Sequence, residues 1–382
     1  MTEELVLVNS QSVGAAAKTA INVLELVRLA AGKNATDLQL VVDSPPLVRI
    51  YGILQPMVGE ARLVLEDVVS AFNQLSTVKE KEAFQREWEL DFGYTLPDIG
   101  RLRCSVARQL NGLTLAIRLL PLKAPTIDEL GLPQVYKQLV LEPRGLILVS
   151  GPSDSGKSTT LAAMVEHLNV YGGHHIVTIE DPIEYIHKSH KSAITQRQLG
   201  RDTRSFAQAL KHLLRQHPDI ILVGEMRDYE TAAGVLAAAE TGHLVLSTGH
   251  APSAPQAIER IVDMFPAIER QLAQTRLASL LVAVVCQTLV PKLNGSGRIA
   301  AVEIMLANTA VRSLIREGKI YQLANVIRTH HEVGMISLDE SLVNLYHKEL
   351  ISYETVLRFC HDRDEVAKLT GTVPKGKKSA RI

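Results

Sequence analysis

Along residues 21–30 the apolar positions Ile21, Leu24, Leu26, Val27 and Ala30 fall on one side of a helix that ends at Gly32, the spacing of a half-buried surface helix. The period then changes. Asp37-Leu-Gln-Leu-Val-Val alternates at its start, and after Ser44-Pro-Pro a second extended run covers 47–54, which predicts two strands joined by a proline turn. Helical spacing returns over 65–75, and 88–119 offers further strands broken at Gly93, Pro97, Gly100 and Gly112. Together these elements predict a small α+β domain over 16–118, preceded by an irregular N-terminus, 1–15. Residues 119–125 hold two prolines and no period, as a short, semi-stiff linker does. Beyond it, apolar runs at 146–150, 176–179, 220–223 and 244–247 alternate with helix-like segments. That is the pattern of a parallel α/β sheet, expected to occupy 126–368. Helical spacing is read from 255 to about 285, two or three more helices follow, and the basic tail 369–382 is expected to be disordered.

What stands at the ends of those apolar runs decides the chemistry, because open parallel sheets bind ligands past the carboxyl ends of their strands. The first run leads into Gly151, Pro152, Ser153, Asp154, Ser155, Gly156, Lys157, Ser158 and Thr159, which satisfies G-x-x-x-x-G-K-[ST] after a buried strand and before a helix. Backbone N–H groups of such a loop face the phosphates of a nucleotide, the lysine reaches the β- and γ-phosphates, and Ser158 holds Mg²⁺. ATP and Mg²⁺ are therefore the expected ligands. The second run ends in three carboxylates, Glu180, Asp181 and Glu184, one of which can activate water. The third delivers Glu225, placed as a Mg²⁺-organising acid. The fourth is flanked by His243 and His250. A lone strand-end histidine is more often structural, but these follow three other ligand-facing ends. In the first domain Arg101, Arg103 and Arg118 lie on strand-like segments, with Arg101 and Arg103 on one face. They either bind an anion or pair with surface acids, and spacing does not choose between the two.

Composition narrows the alternatives. The 382 residues, 46% hydrophobic and 21% charged, suffice for two or three folded domains. Lys plus Arg equals Asp plus Glu at 41 each, so no basic field draws in nucleic acid. Cys104, Cys286 and Cys360 are scattered, which argues against a disulfide framework and a four-cysteine zinc site and fits a reducing cytoplasm. The longest apolar run, 277–285, is far short of the roughly 20 residues a membrane helix needs.

The segments GPSDSGKSTTLAAM (151–164), TIEDPIEYIH (178–187), DIILVGEMRDYET (219–231), AAETGHLVLSTGH (238–250) and AVRSLIREGK (310–319) together resemble the PilT-like type IV pilus retraction motors of the secretion ATPase superfamily. The resemblance implies a PAS-like N-terminal domain, a RecA-like ATPase domain with C-terminal helices, and a homohexamer with nucleotide between subunits. It also implies an ATP hydrolase at the inner face of the cytoplasmic membrane. Such a motor works on an inner-membrane platform protein, beside which a sister pilus ATPase can stand, and meets the membrane only through partners. Carried over by residue, Glu184 resembles the water-activating base, Glu225 the Walker B acid, and His243 and His250 the γ-phosphate-sensing histidine box. Arg101, Arg103 and Arg118 match arginines that reach a neighbouring subunit's nucleotide, and Arg312 and Arg316 lie in the motif associated with retraction. Asp154 replaces a usual glycine, Gly249 a usual leucine and His217 a usual acid, departures that bear on hydrolysis rate. The alternatives are an assembly or secretion motor of the same superfamily and a weakly hydrolysing accessory subunit.

Overall fold

The computed structural model describes residues 21–371 apart from 51, 111 and 122, so the N-terminus 1–15 and most of the tail 369–382 lie outside the described residues. The chain divides between Leu120 and Pro121 into two compact units.

The first unit contains strands β1 (Asp37–Val41), β2 (Leu47–Ile50), β3 (Ile53–Pro56), β4 (Glu89–Leu96), β5 (Gly100–Gln109) and β6 (Gly112–Pro121), in sheet order β3-β2-β1-β6-β5-β4. Residues 47–54, expected as one strand, instead make a hairpin. Gly52 turns the chain at φ +86°, a left-handed value that glycine adopts without steric cost. A helix over Val78–Glu87 was not expected, because its outward residues are nearly all charged. Its start is nevertheless written in the sequence: Thr77 Oγ1 accepts from Glu80 N, and Glu80 Oε2 accepts from Thr77 N at 2.7 Å, a reciprocal cap. Alternate sheet residues Leu38, Leu40, Leu102, Cys104, Val106, Leu115 and Ile117 form a core with the helices Val23–Gly32 and Leu65–Leu75. Strand periodicity therefore puts Arg101, Arg103 and Arg118 on the opposite face. Strand β6 also continues through Leu119 and Leu120, which were expected in the linker.

The second unit is built on β7 (Gly145–Ser150), β8 (His175–Glu180), β9 (Ala193–Gln198), β10 (Ile220–Val223), β11 (Leu244–Thr248), β12 (Leu281–Pro291) and β13 (Arg298–Leu306). The order is β13-β12-β7-β11-β10-β8-β9, with every neighbouring pair parallel except β12 and β13. Helices cover both faces, so the strands read as unbroken apolar runs. Leu146, Leu148, Ile221, Val223 and Val245 enter one core, and Ile147, Val149, Ile220, Leu222, Leu244 and Leu246 the other.

Two expectations about this unit are corrected. Helical structure stops at Leu280, and Leu281–Pro291 is strand β12. The run 281–286, without polar punctuation, has no readable period, and its β-branched valines favour the strand. After β12 come β13 and five α-helices among the described residues, Thr309–Arg316, Leu323–Thr329, Leu338–His347, Tyr353–Phe359 and Arg363–Thr370, where two or three were expected. The last of these takes Leu369 and Thr370 out of the expected tail. Each helix is short, which hides its period.

Leu246 is fully buried on β11, between β7 and β10. Leu246→Ala is expected to destabilise the second unit by about 2–5 kcal/mol through lost transfer energy and the cavity left behind. Urea unfolding followed by circular dichroism measures it.

Candidate active site

Strand β7 ends at Ser150, the loop 151–156 follows, and the helix Lys157–Tyr171 leaves with its N-terminus at the loop. Gly151 has φ +141° and Gly156 φ +86°. At Gly151 a Cβ would also meet the carbonyl oxygen of Gln287 on β12, so the loop lies directly on that strand. Gln287, 2% exposed, donates from Nε2 to Ser155 O at 2.6 Å and accepts at Oε1 from Thr160 Oγ1 at 3.0 Å. Lys157 Nζ donates to Gly151 O at 2.9 Å and Pro152 O at 2.8 Å. Burial pushes its ammonium below the usual lysine range, and the charges of Asp154, Glu225 and Glu184 oppose that shift. All three carboxylates are thus felt at the loop lysine. Asp154 stands at φ +60°, a left-handed conformation that aspartate tolerates better than most side chains. Ser155 Oγ is buried with no hydrogen-bond partner among the described residues.

At the end of β8, Glu180 is committed inward. Its Oε1 accepts from Thr178 Oγ1 at 2.6 Å and Gln196 Nε2 at 3.1 Å, and burial raises its pKa despite those bonds. Glu184 is half-buried beyond the strand, and Asp181 is exposed. The adjoining Tyr185 hydroxyl lies 3.0 Å from Thr159 Oγ1, and His187 Nδ1 lies 2.9 Å from Glu166 Oε2. The acidic segment is therefore fastened twice to the helix that follows the loop.

At the end of β10, Glu225 Oε2 lies 2.6 Å from Arg227 Nε and 3.4 Å from His250 Nε2. Ser247 Oγ and Thr248 Oγ1 donate to Val223 O at 2.9 Å and Gly224 O at 2.5 Å, which holds the ends of β10 and β11 level. Gly249 follows, where a Cβ would come within 3.0 Å of Ser150 Oγ.

His243 is a correction. It precedes β11, and its carbonyl accepts from Gly145 N at 3.0 Å, at the first residue of β7. In a parallel sheet the starts and ends of strands lie on opposite rims, so His243 is across the sheet from the loop. There its Nδ1 lies 2.9 Å from Ala238 O, at the end of the helix Tyr229–Glu240. Only His250 reaches Glu225.

In the first unit Arg101 Nη1 donates to Thr95 Oγ1 at 2.9 Å, Arg103 lies 3.7 Å from Asp91, and Arg118 lies 2.9 Å from Asp37. Arg312 Nη1 donates to Ala278 O at 2.7 Å and Ser279 O at 2.8 Å, at the C-terminal end of the helix Arg270–Leu280, while Arg316 is exposed. Gln287, Tyr185 and Arg227 were not picked out by sequence reasoning. For Gln287 a signal existed: it is a lone amide in an otherwise apolar run.

The Type II/IV secretion system protein family matches residues 94–313, a span that includes the loop, the carboxylates and His250. The chain is 43% identical over 334 residues to the type IV pilus retractation ATPase PilT of Pseudomonas aeruginosa, covering 87% of this chain and 96% of that one. The chain belongs to this family of secretion ATPases. Within it the chain is PilT-like. It superimposes on a crystal structure of the pilus retraction motor PilT with bound ADP at a TM-score of 0.83, with 38% identity, 91% of this chain and 99% of that one. The type IV pilus ATPase PilU of Pseudomonas aeruginosa is 38% identical over 336 residues, 87% of each. The fold expectation holds, with an N-terminal strand domain followed by an ATPase domain, and the secretion ATPase binds and hydrolyses nucleotide.

Asp154→Asn keeps the left-handed tolerance and removes the charge. It is expected to bind ADP more tightly than wild type near neutral pH at low salt, since a like charge leaves the site. Its affinity should begin to fall at a lower pH on the alkaline side, because one of the carboxylates that keep Lys157 protonated is gone. Calorimetric titration of ADP between about pH 7 and 10 checks both effects; identical curves would mean that the carboxylate turns away from the phosphates.

Proposed function

We propose that the protein is a cytoplasmic hexameric motor that couples Mg-ATP hydrolysis to rotation between its domains and so retracts a type IV pilus through an inner-membrane platform protein. The observation that carries the reading is that the glycine loop after β7, the acidic segment after β8, Glu225 after β10 and His250 after β11 stand at one rim of the sheet, in a chain covering nearly the whole of a pilus retraction ATPase. Residues 151–159 hold the phosphates. Lys157, now spent on two loop carbonyls, turns to the phosphate oxygens, and Ser155 Oγ has a hydrogen bond to give.

Among the described residues no group of three or more His, Cys, Asp or Glu is placed to hold a metal. That fits Mg²⁺, which keeps several waters and is bound by substrate phosphates with one or two protein oxygens, here those of Ser158 and Glu225. When bound, it neutralises charge on the phosphates. Glu184 is the base. Glu180 is bound on its strand by two donors, whereas Glu184 stands at the rim. His250, beside Glu225, is placed to respond to the γ-phosphate.

Arg103 holds Asp91 in an exposed pair, worth about 0–1 kcal/mol, so a phosphate of a neighbouring subunit can compete for it, and less readily for Arg118, whose partner Asp37 is largely covered. That role requires a neighbouring subunit, which a hexameric ring supplies. No helix of the described residues is long and apolar enough to cross a membrane. On this reading the motor meets the membrane through its partners, the platform protein and a sister pilus ATPase. Asp154 favours one alternative, a weakly hydrolysing accessory subunit, and the steady-state hydrolysis rate with native mass decides between them.

Glu184→Gln should still bind ATP and hydrolyse it about 10²- to 10⁴-fold more slowly, the usual loss on removing a general base. Single-turnover assays of Glu184→Gln and Glu180→Gln test the assignment, which fails if only the second variant is dead. If the arginines act in trans, adding Glu184→Gln subunits to Arg103→Ala subunits restores activity. Mixed rings confirmed by mass, without rescue, remove that role. Loss of twitching on deletion of the coding sequence, restored by wild type but not by Glu184→Gln, tests retraction itself.

A further inference from the structure

Strand β12 supplies a floor to the phosphate loop, and one of its residues bears on both ends of it, with its backbone at one and its side chain at the other. Gln287 donates to the carbonyl of Ser155, inside the loop, and accepts from the hydroxyl of Thr160, one turn into the helix. Its own carbonyl lies beneath Gly151, and its Nε2 lies 3.1 Å from where a Cβ at Gly156 would stand. Gln287 thus bears on both glycines that bound the loop while being 2% exposed.

We propose that Gln287 is a positioning residue for nucleotide: its amide, as donor to one side and acceptor to the other, holds the Ser155–Gly156 peptide so that the loop's N–H groups point at phosphate. The argument is one of hydrogen-bond polarity. An amide carbonyl that accepts a strong bond on its far side from the ligand is held in direction, and the N–H of the same peptide plane, that of Gly156, is held in the opposite direction. The Ser155 carbonyl, which can only accept, fixes which way the Gln287 amide faces: it takes Nε2 and leaves Oε1 to accept from the Thr160 hydroxyl. A hydrophobic side chain of the same volume would fill the space and lose the direction.

The inference rests on nucleotide seating in this loop, so the test includes Lys157→Ala. Fluorescent ADP is titrated without Mg²⁺ into wild type, Lys157→Ala, Gln287→Met and Gln287→Glu at several values between about pH 6 and 8.5, with the melting temperature of each nucleotide-free protein recorded. Gln287→Met should bind about tenfold or more weakly at every pH, because the Ser155 carbonyl loses its donor. Gln287→Glu discriminates. Ionised, its carboxylate faces the Ser155 carbonyl as acceptor to acceptor and repels the bound phosphates. Protonated, its O–H restores the donor. Burial raises a carboxyl pKa, so affinity should be weak at the alkaline end and recover toward wild type as pH falls. Each variant is read as its ratio to wild type at the same pH, because the terminal phosphate of ADP itself takes up a proton at about pH 6.

A pH-independent loss in Gln287→Glu, affinities of both variants within about twofold of wild type, or nucleotide-free variants already unfolded at 25 °C would each overturn the proposal and leave Gln287 a packing residue. Failure of wild type to bind, or binding undiminished in Lys157→Ala, would instead remove the loop as the nucleotide site.

Discussion

A loop that turns its N–H groups toward a ligand cannot also spend them on a sheet, so it has to be held from behind. In this chain the holding is done by oxygens and by the absence of side chains. Gly151 lets the loop settle onto β12, Gln287 grips Ser155, and Lys157 ties down the carbonyls of Gly151 and Pro152. The bonds from Gln287 and Lys157 fall on loop carbonyls, and the N–H of Ser155 turns inward to Pro152 O at 3.3 Å. Removing water from the lysine is part of the same arrangement. Burial pushes its pKa down, and the three acidic charges around it offset that only in part.

The sheet makes this assembly possible by levelling its strand ends. Four parallel strands in register bring the loop, the acidic segment, Glu225 and His250 to one rim. The same register sends His243 to the other rim. A residue a few positions earlier in sequence is at the opposite edge of the layer, because a strand of five residues spans roughly 17 Å. Hydroxyls of Ser247 and Thr248 then fix β11 against the backbone of β10, so Glu225 and His250 are presented from a joined edge.

This division explains what could be read in advance. The four buried strands were legible because an apolar run between a glycine loop and acids has few other meanings, and the loop was legible because its glycines and lysine are spaced by phosphate geometry. The expectation for 255–285 failed at Leu281, where an apolar run gives no period, and with it went the one strand that carries Gln287. A contact between residues 132 apart in sequence leaves no local trace at either end. For the same reason the sequence could not choose between Glu180 and Glu184. Thr178, two residues back on the same strand, and Gln196, arriving from the neighbouring edge strand β9, together commit the first of them. The arginines of the first unit show the converse. Their alternation on the strand was readable, but their acids, Asp37 and Asp91, come from other strands.

Arg312 joins two helices in a way that limits how they can part. Its guanidinium closes the carbonyl end of the helix Arg270–Leu280, where a cation also meets the negative end of the helix dipole. Although burial lowers its pKa, a guanidinium keeps its proton throughout the physiological range. The helix Thr309–Arg316 is therefore latched rather than merely packed, and a tilt of one helix is handed to the other without rearrangement of side chains. A latch of this kind is indifferent to acidity; it opens only when a competing acceptor draws the guanidinium off or when the two helices are pulled apart.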